Sequence, residues 1–273
     1  MSATQVGPAR AVTTAPPPRS TAGRAVRHAW ALCRRNLVQM KTEPMQLFDA
    51  ALMPMVFSVI FLYIFAGAIG GGTAEYRAYL IPGMLVETVI FAARSTGVAL
   101  NHDFSSGLMD RFRSLPVSRS SVLLGRVGTD ACRMLFGQLA MLGFAFLLGF
   151  RVRTDALALV GAALLLLAFG TAVAWVTACI GLTVRSPQTV DTAGFIWMIP
   201  LQFGSSMFVP PSTMPGWLRA FAEVNPLTLC CDAVRGLLVG GPVMQPVLGT
   251  LAWTAGLTAV FVPLALRQYR RRP

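Results

Sequence analysis

Six apolar runs, each near the ~20 residues that cross a hydrocarbon core about 30 Å thick, constrain this chain more than any other feature of its sequence. They cover residues 47–69, 78–100, 122–150, 156–184, 192–209 and 247–266, and they predict an all-α polytopic membrane protein with six transmembrane helices. The fourth run carries no charge, and the sixth ends in Arg267, Arg270, Arg271 and Arg272. The composition, 55% hydrophobic and 12% charged, fits one membrane domain solvated mainly by lipid.

A net charge of +12 could suggest nucleic acid, but the arginines cluster at the chain ends and in short loops between apolar runs, so no nucleic-acid partner is expected. Residues 10–41 and 111–119 and the C-terminal tail hold most of them, while the alternate loops offer only Arg77, Arg151, Arg153, Arg219 and Arg235. An even number of spans then puts both termini in the cytoplasm of a multi-pass cell-membrane protein.

Residues 1–22, rich in Pro, Ala, Thr and Ser, read as a disordered tail without the apolar core of a signal peptide. Over 24–43, Val26, Trp30, Cys33, Leu37 and Met40 recur at steps of four and three, which predicts an amphipathic helix in the cytoplasmic headgroup plane, stopped by Pro44. Segment 210–246 contains two short apolar stretches broken by Pro and Gly; they read as re-entrant or interfacial helices before the last span.

Between the second and third runs, Phe104, Leu108, Phe112 and Leu115 share one helical face, with Asp103, Asp110 and Arg111 elsewhere and Pro116 as the stop. Such a face suits docking to a partner protein. It suits packing on the chain's own spans equally well.

Glu87 and Arg94 lie two turns apart on one face of the second run, where charges are costly unless paired or facing a cavity. They are candidates for a substrate path or for an interhelical clasp. Phe195, Met198 and Phe203 in the fifth run are further path candidates, although core or lipid-facing packing is the commoner fate of such residues. Arg126, Asp130 and Arg133 read as an interfacial salt network, and Asp49 and Asp191 as residues at span ends that snorkel or cap. Gly161, Gly170, Ala174 and Gly181 would let the fourth helix approach its neighbours closely. The five cysteines and two histidines form no metal or disulfide pattern.

The run 103–126, with Leu115-Pro116-Val117-Ser118-Arg119 and Leu124-Gly125-Arg126, and the stretches 214–228 and 232–241 resemble ABC-2-type permeases, in particular the daunorubicin/doxorubicin-resistance branch. The resemblance runs from about residue 24 to the C terminus, and it implies that residues 23–273 form one ABC-2-type transmembrane domain. It implies a permease pair, in the simplest case a homodimer, on two ATPase subunits. Asp103, Phe104, Leu108, Asp110, Arg111, Phe112 and Leu115 would then form the coupling helix, and the cargo would be amphipathic drugs, natural products or lipids. The only lysine, Lys41, follows no Gly-rich phosphate loop, so no cofactor is expected in this chain and ATP with Mg²⁺ would be held by the partner. The rival readings are export of a polysaccharide or lipid-linked glycan, an intramembrane enzyme, for which no convergent cluster is visible, and a channel without an ATPase.

Overall fold

The computed structural model describes residues 44–65, 72–105, 119–184 and 186–271, with side chains placed for 51–65, 72–105, 128–184 and 186–269. Among the described residues eight α-helices follow in order: α1 Pro44–Phe65, α2 Thr73–Ser105, α3 Arg119–Leu147, α4 Ala156–Thr183, α5 Pro187–Phe203, α6 Gly216–Val224, α7 Pro226–Val239 and α8 Met244–Arg271, with a 3₁₀ turn at Pro211–Thr213. Among the described residues there is no strand. Four segments, Thr73–Ser105, Gly128–Leu147, Ala156–Thr183 and Met244–Tyr269, are long and apolar enough to cross a membrane, and Ala51–Phe65 is a shorter apolar helix. The 1–22 tail, the 24–43 helix, and Leu108, Asp110, Arg111, Phe112 and Leu115 lie outside the described residues.

Local chemistry explains where the helices begin and end. Asp155 caps α4 by accepting from the Ala158 N–H at 3.0 Å. Ser186 caps α5 in the same way, accepting from Thr189 N at 3.2 Å, with Pro187 in the first turn. The fifth helix therefore starts at Pro187, before the apolar run that begins at residue 192, and stops at Phe203 rather than at 209. Its carbonyl end is held from outside the helix: Asn225 Nδ2 donates to Leu201 O at 2.8 Å and Gly204 O at 2.9 Å.

The bundle is arranged around α2. Nearly three quarters (72%) of its apolar window is buried, against 6% for α8, so α2 is the axis and α8 a peripheral helix. Helices α2 and α4 run parallel and meet backbone to backbone: a Cβ on Gly97 would collide with the Thr177 carbonyl, and one on Gly181 with the Gly97 carbonyl. That approach puts polar groups in reach of carbonyls across the seam. Thr177 Oγ1 donates to Ala93 O at 2.7 Å, and Asn101 Nδ2 to Gly181 O at 2.8 Å and Val184 O at 2.7 Å. Gly170 faces Val89 of α2 in the same seam, whereas Gly161 has open space beside it and makes no close approach.

Large apolar side chains such as Ile60, Tyr63, Leu164, Ile196, Leu251 and Val260 stay exposed around the bundle, as expected of a surface covered by hydrocarbon rather than water.

Candidate functional site

At the end of the bundle where α2 closes, a cleft of about 450 Å³ opens between α2, α3 and the start of α5. Phe91, Arg94, Val98, His102, Arg133 and Asp191 line it. Arg94 spans the cleft: its Nη1 donates to Asp191 Oδ1 at 2.6 Å, with 20% of the arginine side chain and 44% of the aspartate exposed. One turn further along α5, the guanidinium lies 4.0 Å from the Phe195 ring centroid, and on its own helix it lies 5.3 Å from that of Phe91. A Cβ on Gly194 would come within 3.3 Å of the Arg94 Cγ, so the glycine leaves room for the stem. Helix α5 thus offers Arg94 an acid at 191, a gap at 194 and an aromatic face at 195, the i, i+3, i+4 spacing of one helical side.

A second arginine fixes the opposite wall. Arg133 Nη2 donates to the Ala92 carbonyl of α2 at 2.9 Å and pairs with Asp130 at 3.2 Å, which ties α3 to α2. The Asp130–Arg133 part of the expected salt network is present, and it reaches a neighbouring helix.

The other sequence candidates are placed apart. Glu87 is 1% exposed, two turns before Arg94 in α2, and its Oε2 has no hydrogen-bond partner. Glu87 and Arg94 form no ion pair with each other. Met198 is buried in the main core, and Phe203 is exposed at the far end of α5, where its ring lies 5.3 Å from that of Phe208. Of the path candidates, Arg94 and Phe195 are in contact; Glu87, Met198 and Phe203 are not part of that contact. Asp103 and Phe104 belong to the last turn of α2, Asp103 on the rim of the cleft and Phe104 edge-on to Tyr269 of α8 at 5.4 Å. For Phe104, packing on the chain's own helices is therefore realised.

Two groups of residues escaped the sequence reading. Asp191, read there as a residue that caps or snorkels, is the partner of Arg94. At the opposite end of the bundle, Arg235 of α7 stacks 3.8 Å from the Tyr79 ring centroid and donates to Ser206 O at 3.0 Å and Tyr79 O at 3.2 Å. It also pairs with Asp232, which accepts from Ser206 Oγ at 2.8 Å. Tyr79 and Tyr76 in turn donate to Ser206 O at 2.6 Å and Phe208 O at 3.1 Å. This latch docks α7 onto α2 and closes the backbone groups of the stretch after α5. The signal was available as an Asp and an Arg three apart on one face of an otherwise apolar short helix.

Among the described residues no three His, Cys, Asp or Glu side chains could hold a metal ion. What the cleft offers is charge, aromatic faces and a helix–helix boundary spanned, among the described residues, by the Arg94–Asp191 ion pair.

An all-helical bundle with four segments long and apolar enough to cross a membrane defines a polytopic membrane protein. Its sequence matches the ABC-2 type transporter family over residues 27–239. It is 38% identical over 257 residues, 94% of this chain and 89% of the relative, to a daunorubicin resistance ABC transporter permease protein, DrrB1, of Streptomyces coeruleorubidus. It is 29% identical over 239 residues to a probable doxorubicin resistance ABC transporter permease protein, DrrC, of Mycobacterium tuberculosis, covering 87% of this chain and 86% of that one. A putative transport permease, ycf38, of Pyropia yezoensis is 24% identical over 214 residues, 76% of this chain and 72% of the relative. The chain belongs to the ABC-2 type transporter family. It is a permease subunit, the membrane component of an ABC transporter system with an ATPase partner.

Proposed function

We propose that this permease exports amphipathic drugs or natural products. The observation that carries the reading is the 38% identity, across 94% of the chain, to a permease named for daunorubicin resistance. Helices α1 to α5 and α8 are the six spans in this reading, with α6 and α7 as short interfacial or re-entrant helices on the outer side. The arginine distribution supports cytoplasmic termini, which puts the Arg94–Asp191 cleft at the cytoplasmic mouth and the Arg235 latch at the outer one. Two permease copies sit on two ATPase copies, which hold ATP and Mg²⁺. Segment 103–115 is the coupling element: it follows in sequence the helix that carries Arg94, and its first residues, Asp103 to Ser105, are the last of α2. Arg94 lines the cleft with the Phe195 ring against its guanidinium, and Glu87, Met198 and Phe203 lie on other parts of the same two helices.

The test is accumulation of a fluorescent anthracycline in cells expressing the permease with its ATPase, against cells with a hydrolysis-dead ATPase. Lower accumulation only with the active pair is expected. Equal accumulation in the two cell lines, with both proteins in the membrane, would overturn the cargo assignment.

A further inference from the structure

Three observations in α2 and α5 fit together. Arg94 is held by a half-exposed aspartate of another helix, so its anchorage depends on α5 staying where it is. Its Nε is buried and has no hydrogen-bond partner, so even in this state the guanidinium is incompletely satisfied. Glu87 is enclosed two turns away with Oε2 unbonded, and such an acceptor is costly inside a membrane protein.

Residues seven apart on an α-helix lie within about 20° of one face and about 10 Å apart along the axis. An extended arginine side chain covers most of that gap. Helical side chains lean towards the N-terminus, which for Arg94 is the direction of Glu87. The guanidinium already lies over Phe91, the residue one turn along that route.

We propose that Glu87 is a second seat for the Arg94 guanidinium: Arg94 pairs with Asp191 when α2 and α5 are closed, and moves to Glu87 when the cleft opens. Glu87 is then a positioning residue for transport. Without it, separating α5 from α2 would strand an arginine at a depth where an unpaired charge is expensive. With it, the guanidinium passes from one carboxylate to the other and the open and closed states stay close in free energy, as a cycling carrier requires. The ring of Phe195 leaves with α5 while that of Phe91 stays, so the cation keeps one aromatic face throughout. This inference rests on the transporter reading in requiring that the cleft open and close.

The experiment uses the full permease–ATPase complex in nanodiscs, with the native cysteines replaced and Val98→Cys as a reporter on the cleft wall. The rate of modification by a polar maleimide is measured without nucleotide. Asp191→Asn removes the closed-state seat and should raise the rate, by about fivefold for a pair of this exposure. Glu87→Gln keeps the shape, removes the open-state seat and should lower the rate by a similar factor. The double variant should return close to the parent, and Glu87→Asp should recover part of the effect of Glu87→Gln.

A plain interhelical clasp predicts something different, namely that both single variants loosen the bundle and raise the rate together. A rate unchanged or raised by Glu87→Gln, in protein that elutes and melts like the parent, overturns the two-seat assignment even if anthracycline efflux persists. Opposite shifts with no ATPase-dependent efflux would instead keep the two seats and remove the cargo reading.

Discussion

The seam between α2 and α4 can be tested with one methyl group. In Gly97→Ala the new Cβ would be driven into the Thr177 carbonyl and lie 3.1 Å from the Thr177 Cβ, and neither is the free end of a flexible side chain. The helices must separate, and overpacking of this kind costs about 1–3 kcal/mol. Separation also stretches the bonds from Thr177 to Ala93 and from Asn101 to Gly181, at 2.7 and 2.8 Å, which in membrane bundles are worth about 0.6 kcal/mol each. Alanine returns about 1 kcal/mol of helix propensity, leaving a net loss of roughly 1–3 kcal/mol. Gly161→Ala is the matched control, since it makes the same chemical change in a neighbouring helix where nothing lies within 4 Å. Thermal denaturation in detergent, followed by the loss of the monodisperse elution peak, should show Gly97→Ala falling by several degrees and Gly161→Ala unchanged or slightly higher. Equal behaviour of the two variants would refute the claim that backbone contact at Gly97 holds the seam.

Arg235→Met removes the donor that holds Ser206 O and Tyr79 O, and should cost about 1–3 kcal/mol, at the lower end because Asp232 is 38% exposed and rehydrates; the same melting assay reads it. If 103–115 docks on the ATPase, Phe112→Ala should reduce recovery of the ATPase at least tenfold, as truncating an interface anchor commonly costs about 2 kcal/mol. Phe104→Ala, whose ring packs on Tyr269, should chiefly lower thermal stability. Single cysteines at Thr73 and Thr213 should react with an impermeant thiol reagent on intact cells, while those at Ser118 and Gln188 should not. The reverse pattern would invert the topology.

Hydropathy located the four segments long and apolar enough to cross a membrane because burial in lipid leaves a mark on every residue of a helix. It misplaced the ends of α5 because helix caps are polar: Ser186, Gln188, Thr189 and Asp191 open that helix but lower its apolar average. Phe203 ends it for a reason that lies 22 residues on, in Asn225, and no local window contains that. The site was half legible. Arg94 announced itself as a charge inside an apolar run, and Phe195 as one of many aromatics, but pairing Arg94 with Asp191 requires knowing that α5 lies against α2, a contact 97 residues apart. Glu87 and Arg94 read together as one candidate pair for a path or a clasp because periodicity sees only one helix at a time. Likewise Arg235 counted only as one of the outer-loop arginines until α7 is seated on Tyr79.

The central claim is that this chain works as the membrane half of an ATP-driven exporter. Affinity purification of the full chain from membranes in mild detergent, followed by an ATPase assay with added anthracycline, tests it most directly. A stoichiometric P-loop ATPase whose turnover rises with the drug, and falls to the unstimulated rate with Arg94→Met, is the expected result. A properly inserted permease that recovers no ATPase, or an ATPase indifferent to every amphipathic compound offered, would contradict it.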